Sequence, residues 1–161
     1  MSSVQMTRAD SVNDVIEQMQ QRISVRAYDL FRGRGEAWGN PWEDWFTAER
    51  EMVRRPAVEL SEQNGSYTVL ASLAGVDARQ MQVKIAPQDL VIKAESEHRH
   101  ESKDRKVHEC DFRGGAVFRS VHFPRPVDMS RATADFHDGL LTVRAPIAPE
   151  PASRKLEVKY A

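Results

Sequence analysis

The sequence predicts an all-β domain, an antiparallel sandwich or barrel, set between a short helical N-terminal arm and an extended C-terminal tail. Three observations predict it. Residues 56–146 alternate apolar and polar side chains in short runs broken by turn residues, with no long helix between them. Residues 1–55 carry their apolar side chains at helical spacing instead. Pro146, Pro149 and Pro151 make residues 147–161 an extended, flexible tail rather than a further element.

Within the arm, Ser11 is a candidate N-cap with Asp14 three residues on. Ile16, Met19, Ile23, Ala27 and Leu30 follow at helical spacing, and Gly33 and Gly35 end that helix. Asn40-Pro41 starts a second helix: a cap residue, then proline at the first helical position, with Glu43 at N3. Trp42, Trp45, Phe46 and Met52 give it an apolar stripe, and Pro56 stops it. Two short helices enclose a poor core by themselves. Their apolar faces must dock on the rest of the chain, a second subunit, or a client. Trp38, Trp42, Trp45 and Phe46 are therefore candidates both for core and for an interaction surface.

In the domain, Tyr67, Val69, Ala71 and Leu73 share one strand face. After a turn at residues 75–77, Met81, Val83 and Ile85 share another, and after residues 87–89 so do Leu90, Ile92 and Ala94. Val117, Arg119, Val121 and Phe123 form one parity set, Ala134 and Phe136 the next. Asp138-Gly139 is a hairpin turn signal leading into Leu141, Val143 and Ala145. Residues 95–111 are a charged interruption, with a weak alternation over residues 106–110 that suits a short projecting strand. In the tail, Leu156 and Val158 lie two residues apart, on one face of an extended segment. Such a segment is expected to add to an exposed sheet edge with both side chains in pockets.

Among the 161 residues, 40% are hydrophobic and 29% charged; 23 Lys and Arg against 24 Asp and Glu leave a net charge of -1. That balance argues against a dedicated nucleic-acid binder and gives little repulsion against self-association. Cys110 is the single cysteine, so no intramolecular disulfide forms, which fits a reducing compartment. Residues 1–10 have no apolar leader core, and no run approaches the roughly 18 apolar residues of a membrane span. A soluble, cytoplasmic protein with no membrane or nucleic-acid partner is the expectation.

Catalytic patterns find little support. There is no phosphate-binding glycine loop ending in Lys-Ser/Thr, and Gly114-Gly115 reads as a bend. Asp135 and Asp138 flank His137, but beside a tight turn, and no nucleophile, base and orienting group can be named together. His98 with His100, and His108 with Cys110, are i, i+2 pairs that on strands could chelate zinc. The competing reading is a solvated, charge-rich loop, and no metal or other cofactor is expected. Cys110 is equally a weak candidate for redox sensing.

Three segments resemble the small heat shock proteins. Residues 134–141, Ala-Asp-Phe-His-Asp-Gly-Leu-Leu, resemble the family's signature at the last hairpin. Arg119-Ser120-Val121-His122-Phe123-Pro124 resembles its arginine followed by an apolar, apolar-Pro pair. Leu156-Glu157-Val158 resembles its C-terminal I-x-I/V motif. The resemblance covers residues 56–161 in the right order and spacing. Departures are Phe123 and Leu140, where leucine and valine are usual, and Glu109-Cys110 where Glu-Arg is usual. Separately, Ile23, Arg26-Ala27-Tyr28, Trp42-Glu43-Asp44-Trp45 and Ala48-Glu49 resemble a short two-helix bacterial domain of unknown function over residues 15–52, which implies no chemistry but an ordered arm.

The resemblance implies an immunoglobulin-like antiparallel β-sandwich, the α-crystallin domain, and an ATP-independent chaperone that holds partly unfolded proteins as a homo-oligomer. It implies dimers formed by swapping residues 106–111 onto the partner's strand near residues 58–61, with Val58, Val107, Glu109 and Arg119 at the interface. Arg119 shares parity with inward-facing residues, so it needs a carboxylate partner or must reach water. Dimers would join through Leu156 and Val158 inserted in a groove beside Val83, Ile85 and Thr133. The alternatives are a monomeric co-chaperone-like binding module, distinguishable by native mass, and remotely a metal-dependent enzyme, distinguishable by elemental analysis.

Overall fold

A computed structural model describes residues 2–35, 39–96, 100, 103–111, 114–150 and 155–160. Seven strands form the body: β4 (Val58–Gln63), β5 (Ser66–Ser72), β6 (Met81–Ile85), β7 (Asp89–Ser96), β8 (Gly115–His122), β9 (Thr133–His137) and β10 (Leu140–Pro146). They lie in two facing sheets with all neighbours antiparallel, β9-β10-β5-β4 in one and β6-β7-β8 in the other. The parity sets read from the sequence close the core. Tyr67, Val69, Ala71, Leu73, Ile85, Leu90, Ile92, Val117, Phe123, Leu141 and Val143 are all buried in one cluster. Tyr67 and Phe123 stack across the sheets with ring centroids 5.5 Å apart. Asp138 and Gly139 both take positive φ, as the predicted hairpin requires. Asn64-Gly65 does the same between β4 and β5, a signal that sequence reading passed over.

The arm holds two helices, α1 (Asn13–Gly33) and α2 (Pro41–Met52). Asn40 caps α2 as expected, its Oδ1 accepting the Trp42 amide at 3.0 Å. At α1 the cap position falls to Val12, while Ser11 Oγ accepts the Asn13 amide at 3.1 Å. Met19 and Ile23 of α1 pack with Ala48 of α2 on Ala116 of β8. Val12 is buried against Ala86 and Val91, which explains why Val91 is buried although it points away from the sandwich core. The helices thus roof the outer face of the β6-β7-β8 sheet. Asp14 accepts from Lys84 Nζ at 2.8 Å at the edge of that roof.

The sequence predicts a helical arm over residues 1–55, and the structure departs from that. The arm also supplies three short strands: β1 (Ser2–Ser3), β2 (Met6–Arg8) and β3 (Val53–Arg54). β1 pairs antiparallel with β9, β2 parallel with β6, and β3 parallel with β8. The second helix therefore ends at Met52, before Pro56, because Val53 is drawn into extended pairing with the sheet.

Candidate functional site

The residues singled out in the sequence lie in several separate places. Val83 and Ile85 are buried on β6, and Thr133 is exposed at the start of β9. These two strands are edges of opposite sheets, and residues 2–8 bridge them. Met6 stands opposite Val83 and Arg8 opposite Ile85, while Ser3 stands opposite Asp135. Val4 donates its amide to the Ala134 carbonyl at 3.4 Å and is buried in the main core cluster, with Met6 packed partly against it. Ala9 donates to the Ile85 carbonyl at 2.9 Å. Arg8 donates to the carbonyls of Met129 at 2.6 Å and Ala132 at 3.2 Å, fixing the strand to the short 3-10 turn Met129–Arg131. The border expected to take the tail is thus held by the chain's own start. The alternation of Val4 and Met6 around Gln5 was the available signal, but three residues of period two are too few to stand out.

The tail itself is uncovered. Leu156 and Val158 are 89% and 73% exposed and belong to no strand.

Arg119 lies on β8 opposite Ile92, with the inner parity expected. Its Nε is buried without a hydrogen-bond partner among the described residues. Desolvation, and then the nearby Arg55, push its pKa below the usual guanidinium range. Arg119 and Arg55 line a hollow with Glu49, Arg50, Val53 and Phe118. Val58 is half-buried on β4, an edge strand whose one neighbour among the described residues is β5. Val107 and Glu109 are exposed in an irregular segment, far from regular pairing. Among the described residues no strand pairing joins Val107 or Glu109 to Val58 or Arg119.

Of the aromatic candidates, Trp45 packs into the helix cluster. Trp42 and Phe46 point outward, 68% and 50% exposed, and Trp38 lies outside the described residues. Val25, Tyr28 and Phe31 of α1, which the helical spacing did not select, are also exposed, and the two rings stack at 6.3 Å. His100, His108 and Cys110 line one shallow depression with Arg105 and Lys106, whereas His98 lies outside the described residues. Among the described residues no helix is long and apolar enough to cross a membrane.

Comparison with known proteins matches this architecture. Residues 18–53 match a family described as "Protein of unknown function (DUF2934)", and residues 59–159 match the Hsp20/alpha crystallin family. Small heat shock protein C4 of Rickettsia felis is 28% identical over 70% of this chain and 69% of its own. Spore protein SP21 of Stigmatella aurantiaca is 27% identical over 90% of this chain and 80% of its own. Heat shock protein 16.0 from Schizosaccharomyces pombe superposes with a TM-score of 0.56 at 26% identity, covering 66% of this chain and 99% of that one. A sandwich of this topology, matched over residues 59–159 from β4 to the exposed tail, places the chain in the Hsp20/alpha crystallin family of small heat shock proteins.

Proposed function

We propose that the protein is an ATP-independent cytoplasmic chaperone, a homo-oligomer that binds partly unfolded proteins and keeps them from aggregating. The observation that carries this reading is apolar surface left open on elements built for other chains. Leu156 and Val158 stand clear of the protomer, and Trp42, Phe46, Tyr28 and Phe31 face outward from the helices. Two further features ask for a second copy. Among the described residues the β4 edge is unpaired on one side, and Arg119 Nε is buried without a hydrogen-bond acceptor. A partner's residues 106–111, exposed and irregular in the protomer, would add to β4 near Val58 and bring Glu109 toward Arg119.

Weak contacts make such a protein work. Two buried aliphatic side chains supply about 3–6 kcal/mol before the entropic costs of association. Contacts of that size open and re-form readily, and each opening exposes apolar surface that can cover the same kind of surface on an unfolding client. The driving force is removal of apolar area from water, so no nucleotide is needed.

The test is light scattering of a heated model client without nucleotide, comparing the full chain with one ending at Ala152. The full chain is expected to suppress scattering and the shortened one to form smaller assemblies. No suppression by the full chain at equal subunit ratio refutes the reading. The monomeric binding module gains support from one observation, the self-filled border at residues 2–8. A native mass of one subunit would establish it.

A further inference from the structure

We propose that the border between β6 and β9 is one site with two occupants: Val4 and Met6 of its own chain in the isolated protomer, and Leu156 and Val158 of a second copy on assembly. This rests on the chaperone reading above and adds the device that regulates it. The two segments share a pattern. Val4-Gln5-Met6 and Leu156-Glu157-Val158 each place aliphatic side chains at i and i+2 around a polar residue. An extended strand sends both to one face. In the structure the first pair is inserted, Val4 in the core cluster and Met6 against it. The second pair is solvent-exposed, although its side chains are of similar size and apolarity.

The present occupant is held thinly. β2 has three residues and β1 two, and the Val4 amide bond to Ala134 is long at 3.4 Å. Arg8 is the firm anchor, through the Met129 and Ala132 carbonyls. Release of residues 2–8 would free two edges at once, the β6 edge beside Val83 and Ile85 and the β9 edge beside Thr133. The groove expected by sequence would then be complete. Charge does not oppose the exchange: the tail carries Lys155, Glu157 and Lys159, and Asp135 is exposed on β9.

The tether sets the direction. Ala9 is bonded to Ile85 only four residues before α1 begins at Asn13, and α1 is itself packed on the same sheet. A short tether gives residues 4–6 a high effective concentration at the groove. The own strand therefore wins in dilute protomer, and the tail of a second copy wins when copies are crowded or already joined as dimers. Residues 2–8 raise the concentration at which tail-mediated assembly sets in.

The probe is a fluorescent peptide of residues 153–161, read by anisotropy. It is titrated into the full-length chain carrying Leu156→Ser and Val158→Ser, with and without Val4→Ser and Met6→Ser. Binding is expected to be about tenfold tighter when Val4 and Met6 are replaced, because the binding-competent fraction rises. Equal affinity overturns the shared site while leaving the tail-groove reading intact. Binding to neither chain overturns both. Should the serine pair lose its cooperative melt, deletion of residues 2–9 serves as the comparison. Sedimentation of the chain with an intact tail adds a second reading. Val4→Ser with Met6→Ser is expected to lower the half-assembly concentration by a similar factor. A tail that fills its own protomer's groove would make the result independent of concentration, and would overturn the proposal.

Discussion

Arg119 faces inward with Val117 and Val121, yet its Nε meets no acceptor among the described residues, and the charge that acts on it is the like charge of Arg55. A guanidinium in that position destabilises the protomer and rewards a partner. Arg119→Met is expected to make dilute protomer about 1 kcal/mol more stable to urea, and to raise the dimer dissociation constant at least about tenfold. Sedimentation at several concentrations reads the second effect. Gly139 and Gly65 offer a paired test of turn strain. Both have positive φ, but a Cβ at Gly139 meets the Ala74 backbone at 3.2 Å, whereas at Gly65 it meets nothing within 4 Å. Gly65→Ala is expected to cost about 1 kcal/mol and Gly139→Ala about 2 or more in chemical unfolding. Three carboxylates near the surface are held below their ordinary range. Asp77 falls to about 2 because the Arg79 side chain and amide donate to it. Asp128 is lowered by Ser130 and Arg131, and Asp14 by Lys84. A folded pKa below the unfolded one means stability that is present above the unfolded value and lost as pH falls through the folded value. The urea midpoint is thus expected to drop between about pH 4 and pH 2, and Asp77→Asn to flatten part of that slope.

At the scale of elements, the helices are a roof rather than a free arm. Met19 and Ile23 clamp α2 to β8 through Ala48 and Ala116, and Val12 seals α1 to Val91. The ion pair of Arg26 with Glu51, at 2.7 Å and half exposed, adds little beside that apolar contact. Ile23→Asp buries a charge without a partner and is expected to lift both helices from the sheet while the sandwich persists. Hydrogen exchange would show this as lost protection in α1 and α2 with β5, β7 and β10 unchanged. Loss of protection throughout would mean that the roof and the sandwich fold as one unit. The short strands are the other lesson at this scale. β1, β2 and β3 cover the edges of β9, β6 and β8, and β4 alone keeps an open edge among the described body strands. An uncovered edge beside three covered ones marks where a second chain has room to pair.

For the whole molecule, two kinds of contact are expected to build the assembly, and they differ in physics. The proposed dimer contact pairs Arg119 with a partner's carboxylate, so added salt is expected to weaken it. The tail contact is apolar, so salt leaves it nearly unchanged. Raising sodium chloride from 0.05 to about 0.5 M is expected to loosen dimers in the Leu156→Ser, Val158→Ser chain more than it loosens peptide binding at the groove. Equal salt response of the two would show that the charged neighbours Lys155, Glu157 and Lys159 dominate tail recognition instead.

Strand parity was legible from residues alone, because a half-buried strand must alternate and Tyr67 to Leu73, Met81 to Ile85 and Leu141 to Ala145 do so without exception. The hairpin at Asp138-Gly139 and the cap at Asn40 were legible for a similar reason: each local geometry demands its residue types. The uncovered tail and the inward parity of Arg119 also follow from spacing. What only the tertiary structure decided is which segment fills which edge. Val4 and Met6, Val53, and Leu156 with Val158 are short apolar pairs or single residues, and any of them could add to a sheet border. Pairing between segments far apart in sequence depends on where the chain brings their backbones, and three residues of alternation carry too little information to say so in advance.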